Sequence, residues 1–144
     1  MGHFAKIVNG VVKQVVVIAN KDIKDEEGNE VEAVGSKFCR ELFGDGQFIQ
    51  CSYNGKIRKN YPGKGWLYNS EHDFFHESQP YASWTLNLNN GRWEAPVPLV
   101  YGEKVFVYAW SEEKLKWVRT SGHYFEGEGD DQVLKFDDNW DDNN

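Results

Sequence analysis

The sequence predicts a mainly β chain of the α+β kind: an N-terminal antiparallel sheet with one helix, a series of aromatic β-hairpins, and an acidic C-terminal tail. Three observations carry this. Asn9-Gly10 stands between two β-branched runs, the strongest short-range signal for a hairpin because both turn residues tolerate positive φ. Three later segments place an aromatic or aliphatic residue seven positions before a second aromatic across a polar turn: Tyr68/Phe75, Leu86/Trp93 and Trp110/Trp117. The apolar content of the 144 residues is modest at 40%, whereas Trp 6, Tyr 7 and Phe 9 are many for this length. Packing is thereby shifted from aliphatic to aromatic side chains, as in small β-rich modules.

Taken in order, Phe4–Val8 and Val11–Ile18 read as the first hairpin, and the continuously apolar second strand is expected at the centre of the sheet, covered on both faces. Lys21–Glu30 is charged and reads as a loop. Val31, Val34, Phe38 and Leu42 recur at helical spacing and Gly44 follows as a C-terminal cap, which predicts one helix of about three turns with that stripe laid on the sheet. Gln47–Tyr53 alternates as a half-buried strand should, and Asn54-Gly55 predicts a second hairpin turn. Residues seven apart also share a helix face. The residues between the three pairs include Asn, Ser, Asp and Gly, with no apolar residue at the other helical contact positions, so hairpins fit better. Pro80, Pro96 and Pro98 punctuate them. The expected divisions are 1–65 for the sheet and helix, 66–120 for the hairpin repeats and 121–144 for the tail.

The net charge of −7 is not evenly spread. Residues 1–120 hold 15 Lys and Arg against 15 Asp and Glu, whereas residues 121–144 hold one Lys and eight acids. A block of acids and Asn such as Phe136–Asn144 is expected to stay disordered unless a neighbouring subunit grips Phe136 and Trp140. Lys56, Arg58, Lys59 and Lys64 form the one basic cluster, with no acid between Asp45 and Glu71. Interleaved with Tyr53, Tyr61 and Trp66 it has some character of a nucleic-acid strip, but the acidic tail would repel a polyanion. The tail, from this chain or a neighbouring copy, is its expected partner.

No apolar run approaches the roughly eighteen residues of a membrane span, and the longest, Val15–Ala19, lacks the features of a signal peptide. Cys39 and Cys51 have neither metal nor redox spacing and read as small buried hydrophobes. His72 and His76 straddle a hairpin turn, where a spacing of four loses its helical meaning, and read as surface residues. Glu126–Asp131 is rich in oxygen ligands without the spacing of a calcium loop. No serine or cysteine sits in a nucleophile setting. The adjacent acids Glu112-Glu113 and Asp137-Asp138 read as solvated, so an enzyme, a metal and a cofactor are not expected.

The hairpin Phe4–Val12, the helix with Phe38-Cys39, the run Ser52-Tyr53-Asn54-Gly55-Lys56-Ile57-Arg58-Lys59-Asn60-Tyr61-Pro62-Gly63-Lys64-Gly65, and Ser83-Trp84 with Trp93-Glu94-Ala95-Pro96-Val97-Pro98 together resemble a group of small virion-associated proteins of marine tailed phages, especially myovirus-like phages of cyanobacteria. The resemblance spans residues 3–118 and is most specific in the run from Ser52 to Gly65. It implies a role in the virion or its assembly and carries no catalytic residues with it. The acidic tail lies outside the pattern.

Residues and resemblance together predict a minor structural protein of a tailed phage particle, assembled in the host cytoplasm, that decorates or adapts capsid or tail by protein–protein contacts. Its partners are expected to be other virion proteins and copies of itself, with no nucleic acid and no membrane. The contact residues singled out are Trp66, Tyr68, Trp84, Trp93, Trp110, Trp117, Phe136 and Trp140. The alternative is a carbohydrate-binding hairpin module of a fibre touching the host surface. That would need two or more coplanar indoles in solvent as platforms for sugar rings.

Overall fold

A computed structural model describes residues 1–142; Asn143 and Asn144, the end of the expected tail, lie outside the described residues. The chain is mainly β with a single α-helix among the described residues. It forms two compact units, one of residues 1–80 with Leu86–Trp93, the other of Tyr81–Thr85 with the chain from Glu94 onward. The expected divisions at 65 and 120 are therefore corrected. The first aromatic hairpin belongs to the N-terminal sheet, and position 120 lies inside a strand.

In the first unit, β1 (Gly2–Val8), β2 (Val11–Ile18), β3 (Gln47–Cys51), β4 (Leu67–Asn69) and β5 (Phe74–His76) form one antiparallel sheet in the order β3-β1-β2-β4-β5. Asn9 and Gly10, with φ of 51° and 78°, make the expected tight turn between β1 and β2. β2 is the middle strand of this order, as expected, but it is not covered on both faces; the buried strand is its neighbour β1. β2 meets β4 only at Val11↔Leu67, and Val17 is 46% exposed. A β-branched run favours strand formation, but how far a strand is covered follows from the elements that the later chain packs on it.

Alternation along β1 sends Phe4 and Ala5 to opposite faces, and a core forms on each. One face gathers Phe4, Ile18, Ile23, Cys39 and Phe48. The other gathers Ala5, Ile7, Val12, Ile49, Cys51 and Phe75, with Val15, Trp66 and Tyr68 packed against it. Helix α1 (Glu32–Phe43) covers the first face, and Gly44, at φ 96°, caps it by donating its N–H to the Arg40 carbonyl at 3.1 Å. The stripe expected to pack is corrected in part: Phe38 packs against this core, but Leu42 is 60% exposed, and the fully buried residues are Gly35, Ser36 and Cys39. Small side chains let the helix approach closely, since a Cβ on Gly35 would lie 2.3 Å from Phe4 Cζ. Ser36 Oγ then donates to the Phe48 carbonyl at 2.7 Å. Both cysteines are free and buried, as expected. Burial pushes the Cys39 thiol up to about 11 and Cys51 up to about 12, with Arg40 and Arg58 opposing.

Asn54-Gly55 makes a turn, with Gly55 N–H on the Ser52 carbonyl at 2.9 Å, but no strand returns from it. Arg58 and Lys59 adopt left-handed conformations, φ 53° and 67°, which a continuing strand does not accommodate.

β6 (Thr85–Asn87) and β7 (Arg92–Glu94) form a two-stranded hairpin. In the second unit β8 (Lys104–Ser111), β9 (Lys116–Glu126) and β10 (Val133–Phe136) form an antiparallel sheet in the order β10-β9-β8. The period of seven is a cross-strand contact: Tyr68 lies opposite Phe75, and Trp110 opposite Trp117. Each hairpin turn also carries a residue at positive φ two positions before its second aromatic: Asp73 (56°), Gly91 (68°) and Leu115 (50°). The repeat read from aromatic spacing is thus a repeat of backbone conformation too.

The expected disordered tail is corrected for its described part. β9 runs through position 120 to Glu126, and Val133–Phe136 returns beside it as β10. Val133-Leu134-Lys135-Phe136 is a good strand former, and Gly127 and Gly129, both at positive φ, turn the chain back.

Candidate functional site

The second unit has an indole cluster at one end of its sheet. Trp110 and Trp117 face each other across β8 and β9 with centroids 5.5 Å apart, and Trp84 sits 6.0 Å from the first and 5.9 Å from the second. The interplanar angles of 73°, 80° and 61° are edge-to-face, the favoured geometry of packed rings. Glu112 closes the cluster. It accepts from Ser83 N–H at 2.9 Å, Ser83 Oγ at 2.7 Å and Trp110 Nε1 at 2.8 Å. These bonds, Trp110's first, hold its carboxyl below the usual carboxylate range. The reading of Glu112 as a solvated acid is corrected: the turn aims it at donors that need an acceptor. Trp117 Nε1 donates to the Val97 carbonyl at 2.8 Å.

Further along the sheet, Arg119 is sandwiched. Its guanidinium carbon lies 3.9 Å from the Phe106 ring centroid and 4.7 Å from that of Trp140, while Nη1 reaches Asp137 at 3.1 Å. Nε and Nη2 are buried without a hydrogen-bond acceptor, so the aromatic faces supply the stabilisation that an acceptor would give. The Asn139 N–H, and then Arg119, hold the Asp137 carboxyl below its usual range. Between this stack and the β8–β9 turn lies an open groove of about 640 Å³, lined by Tyr108, Lys114, Lys116, Trp117, Arg119 and Trp140 among others.

The opposite face of the same sheet is apolar and uncovered. Register sets Val105, Phe125 and Leu134 side by side across β8, β9 and β10. Phe125 is 38% and Leu134 55% exposed, and Val107, Val133 and Phe136 are exposed nearby.

In the first unit Arg58 joins three elements. Nη1 bonds Glu32 on α1 and the Gln50 carbonyl on β3, each at 2.8 Å, and Nε bonds Asp73 in the β4–β5 turn at 2.6 Å. Tyr68 donates its hydroxyl to the same Asp73. Burial works against the charge on Arg58, but the bonds to Glu32 and Asp73 outweigh it and raise its pKa. The bonds from Tyr68 and then Arg58 lower the pKa of Asp73.

The structure separates the residues singled out from the sequence. Trp66 and Tyr68 pack against a core of the first unit, and Trp93 is anchored by Nε1 on the Glu77 carbonyl at 2.7 Å. Trp84 and Trp117 are half-buried in the indole cluster and Trp110 is only 7% exposed, so the expected outward contact is corrected for Trp110. Phe136 is exposed, and Trp140 is half-buried against Arg119. The basic cluster does not act together. Arg58 is committed to Glu32 and Asp73, Lys59 reaches the Asn89 carbonyl and lies over Phe74, and Lys56 and Lys64 are exposed. Asp137, for its part, has its cation in Arg119, so the expected pairing of cluster and tail is corrected for Arg58 and Asp137. His76, expected at the surface, is buried between Phe74 and Trp93 at 5.7 and 5.9 Å, whereas His72 is exposed.

Sequence reasoning missed Arg119, whose partners come from residues 106, 137 and 140, and the exposed apolar row. Alternation of Val105, Phe106, Val107 and Tyr108 did signal a two-faced strand, but not that its Val105 face stays open. No family model, curated protein or solved structure matches the chain.

Proposed function

We propose that this chain is a minor structural protein of a tailed phage particle, without catalytic activity, which decorates or adapts capsid or tail by protein–protein contact. The observation that carries the reading is the row Val105, Phe125 and Leu134 on one sheet face, with Phe136 beside it, all exposed except the half-buried Val105. A sheet normally buries one face, and a contiguous uncovered apolar patch marks a contact surface. The tryptophans support a structural role in another way: Trp110 is buried, and Trp84 and Trp117 pack edge-to-face against it and each other at the base of the β8–β9 hairpin. The resemblance of residues 3–118 to small virion-associated proteins of marine tailed phages supplies the setting, a virion assembled in the host cytoplasm, with other virion proteins and copies of the chain as partners.

The flat-platform form of the glycan alternative draws no support from the indole cluster, where no two of the three rings are coplanar. The test adds purified chain back to particles assembled without it. Phe125→Asp with Leu134→Asp should reduce incorporation at least about tenfold, because two carboxylates would be desolvated in the contact. Leu134→Asp alone should show the loss with a melting temperature close to that of the unchanged chain, whereas the double variant sets two carboxylates opposite each other across β9 and β10 and should melt lower. Undiminished incorporation of the double variant would overturn the assignment of this face.

A further inference from the structure

We propose that the outer edge of β8 pairs antiparallel with the same edge of a second copy of this chain, joining two three-stranded sheets into one continuous sheet. In the order β10-β9-β8 one edge of β8 is taken by β9, and alternation turns the N–H and C=O of every second residue toward the other edge. Among the described residues no backbone hydrogen bond reaches Lys104–Ser111 from outside its own sheet. The side-chain bond to its backbone, from Thr120 Oγ1 to the Val107 carbonyl at 3.4 Å, comes from β9.

Other long strands of the chain have their edges closed. On β3 the Gln50 N–H donates to Glu32 Oε1 and the Gln50 carbonyl accepts from Arg58 Nη1, each at 2.8 Å. On β5 the Phe75 N–H donates to the Arg58 carbonyl at 3.3 Å, and the Phe75 carbonyl accepts from Asn60 Nδ2 at 2.8 Å. In the second unit β10 is only Val133–Phe136 and carries Lys135. The stretch of β9 without a β10 partner carries Lys116 and Arg119, with Asn139 to Asp141 lining the groove beside it. β8 has none of these devices. Val105–Trp110 holds no charge, proline or glycine, and the irregularity of the hairpin falls on β9, which runs from 119 to 124 while β8 runs from 106 to 108. A long, regular, uncharged edge is a template for another strand.

The strand is its own complement. A two-fold axis perpendicular to the sheet keeps like faces together, so residues of the same parity come opposite each other. Centred on Val107, that register sets Val105 opposite Ala109 and Phe106 opposite Tyr108, while Lys104, the one charge of β8, meets Trp110. No like charges meet, and apolar and aromatic cross-strand pairs are favourable. β8 itself holds no acid, and the eight acids after Thr120 lie on or beyond β9, away from the seam. The exposed Val107 and Ala109 of both copies would come side by side and carry the apolar row Val105, Phe125 and Leu134 across the seam. A strand of another protein would gain the same backbone bonds without this match of side chains.

The inference goes beyond the virion reading and is tested on the free chain, by sedimentation equilibrium and backbone amide exchange over a range of concentration. A dimer is expected, and with it protection of alternate β8 amides that the diluted monomer lacks. Val107→Lys and Val107→Glu, at a position 43% exposed, each set like charges opposite each other on the axis and should weaken dimerisation at least about tenfold. An equimolar mixture of the two should restore the dimer, which shows that both variants fold. Leu134→Asp, two strands from the seam, should dimerise as the unchanged chain does, which separates failure of this edge from failure of the face proposed for virion contact. A monomer at every concentration, a dimer that either charge leaves intact, or a mixture that stays monomeric would overturn the proposal. So would a dimer lost in Leu134→Asp, which would mean that sheet faces stack instead.

Discussion

Arg58 shows how much one side chain can organise in a unit with a small aliphatic core. It is mostly buried, ties α1 to β3 and to the β4–β5 turn, and sits in a left-handed conformation that only its bonds justify. Truncation to Ala would leave Glu32 and Asp73 without their cation and the Gln50 carbonyl without a donor. The expected cost is about 2–3 kcal/mol, below that of a fully buried pair because Asp73 is more than half exposed. Arg58→Lys should recover only part of it, since one ammonium cannot reach three acceptors in fixed directions. Denaturant unfolding of both variants checks this. The network also has a pH signature. Asp73 has a lowered pKa in the folded chain, so its contribution is complete above the ordinary value of 3.8 and is lost as pH falls through the lowered one. Acid unfolding of the first unit should begin below about pH 4 and become shallower in Asp73→Asn. At neutral pH, meanwhile, the raised thiols of Cys39 and Cys51 should react with an alkylating reagent only as fast as the fold opens.

The hairpins and the helix differ in how far the sequence discloses them. Aromatics seven apart around a polar turn gave the hairpins away, because a cross-strand pair ties two positions to one contact. The positive φ of Leu115 could not be foreseen: leucine is a poor residue there, and only comparison with Asp73 and Gly91 at the equivalent positions reveals it. Since Leu115 is 53% exposed, Leu115→Gly should relieve strain without loss of packing and stabilise the second unit by about 0.5–1 kcal/mol. A lower or unchanged melting temperature would mean that the turn is not strained. The extent of α1 and its glycine cap were legible, whereas its buried face was so only through Phe38, which packs against the core. Apolar periodicity named Val31, Val34, Phe38 and Leu42, but close approach to Phe4 selected Gly35, Ser36 and Cys39. Gly35→Ala, a favourable change by helix propensity alone, is therefore expected to destabilise the first unit by about 1–3 kcal/mol through overpacking. Thermal melting fixes the sign.

For the molecule as a whole, the charge pattern misled about the tail and informed about its use. Eight acids after Thr120 suggested a disordered appendage, yet three of the last strand's four residues are apolar and its neighbour β9 begins well before the acids do. What decides folding here is local: Val133–Phe136 has a strand to pair with, and Asp137 and Trp140 have Arg119 to close on. None of these long-range partners is marked by spacing, which is why the candidate sites of the second unit were less legible than the N-terminal sheet. Deletion of residues 121–144 should consequently remove half of β9 and all of β10, uncover Phe106 and Arg119, and collapse the second unit. The first unit keeps both of its cores, which draw every residue from positions 4–75. In proton–nitrogen spectra the truncated chain should lose the dispersed resonances of residues 104–120 and retain those of the first unit. A shorter deletion, from Asp138, should leave β10 and the Arg119–Asp137 pair in place and cost the Trp140 stack and the Asn139 N–H bond to Asp137. If truncation at Thr120 instead left β8 and the start of β9 dispersed and protected, the sheet would not depend on its acidic end. Exposure of Leu134 would then have to be read as a property of a loosely attached strand rather than of a contact face.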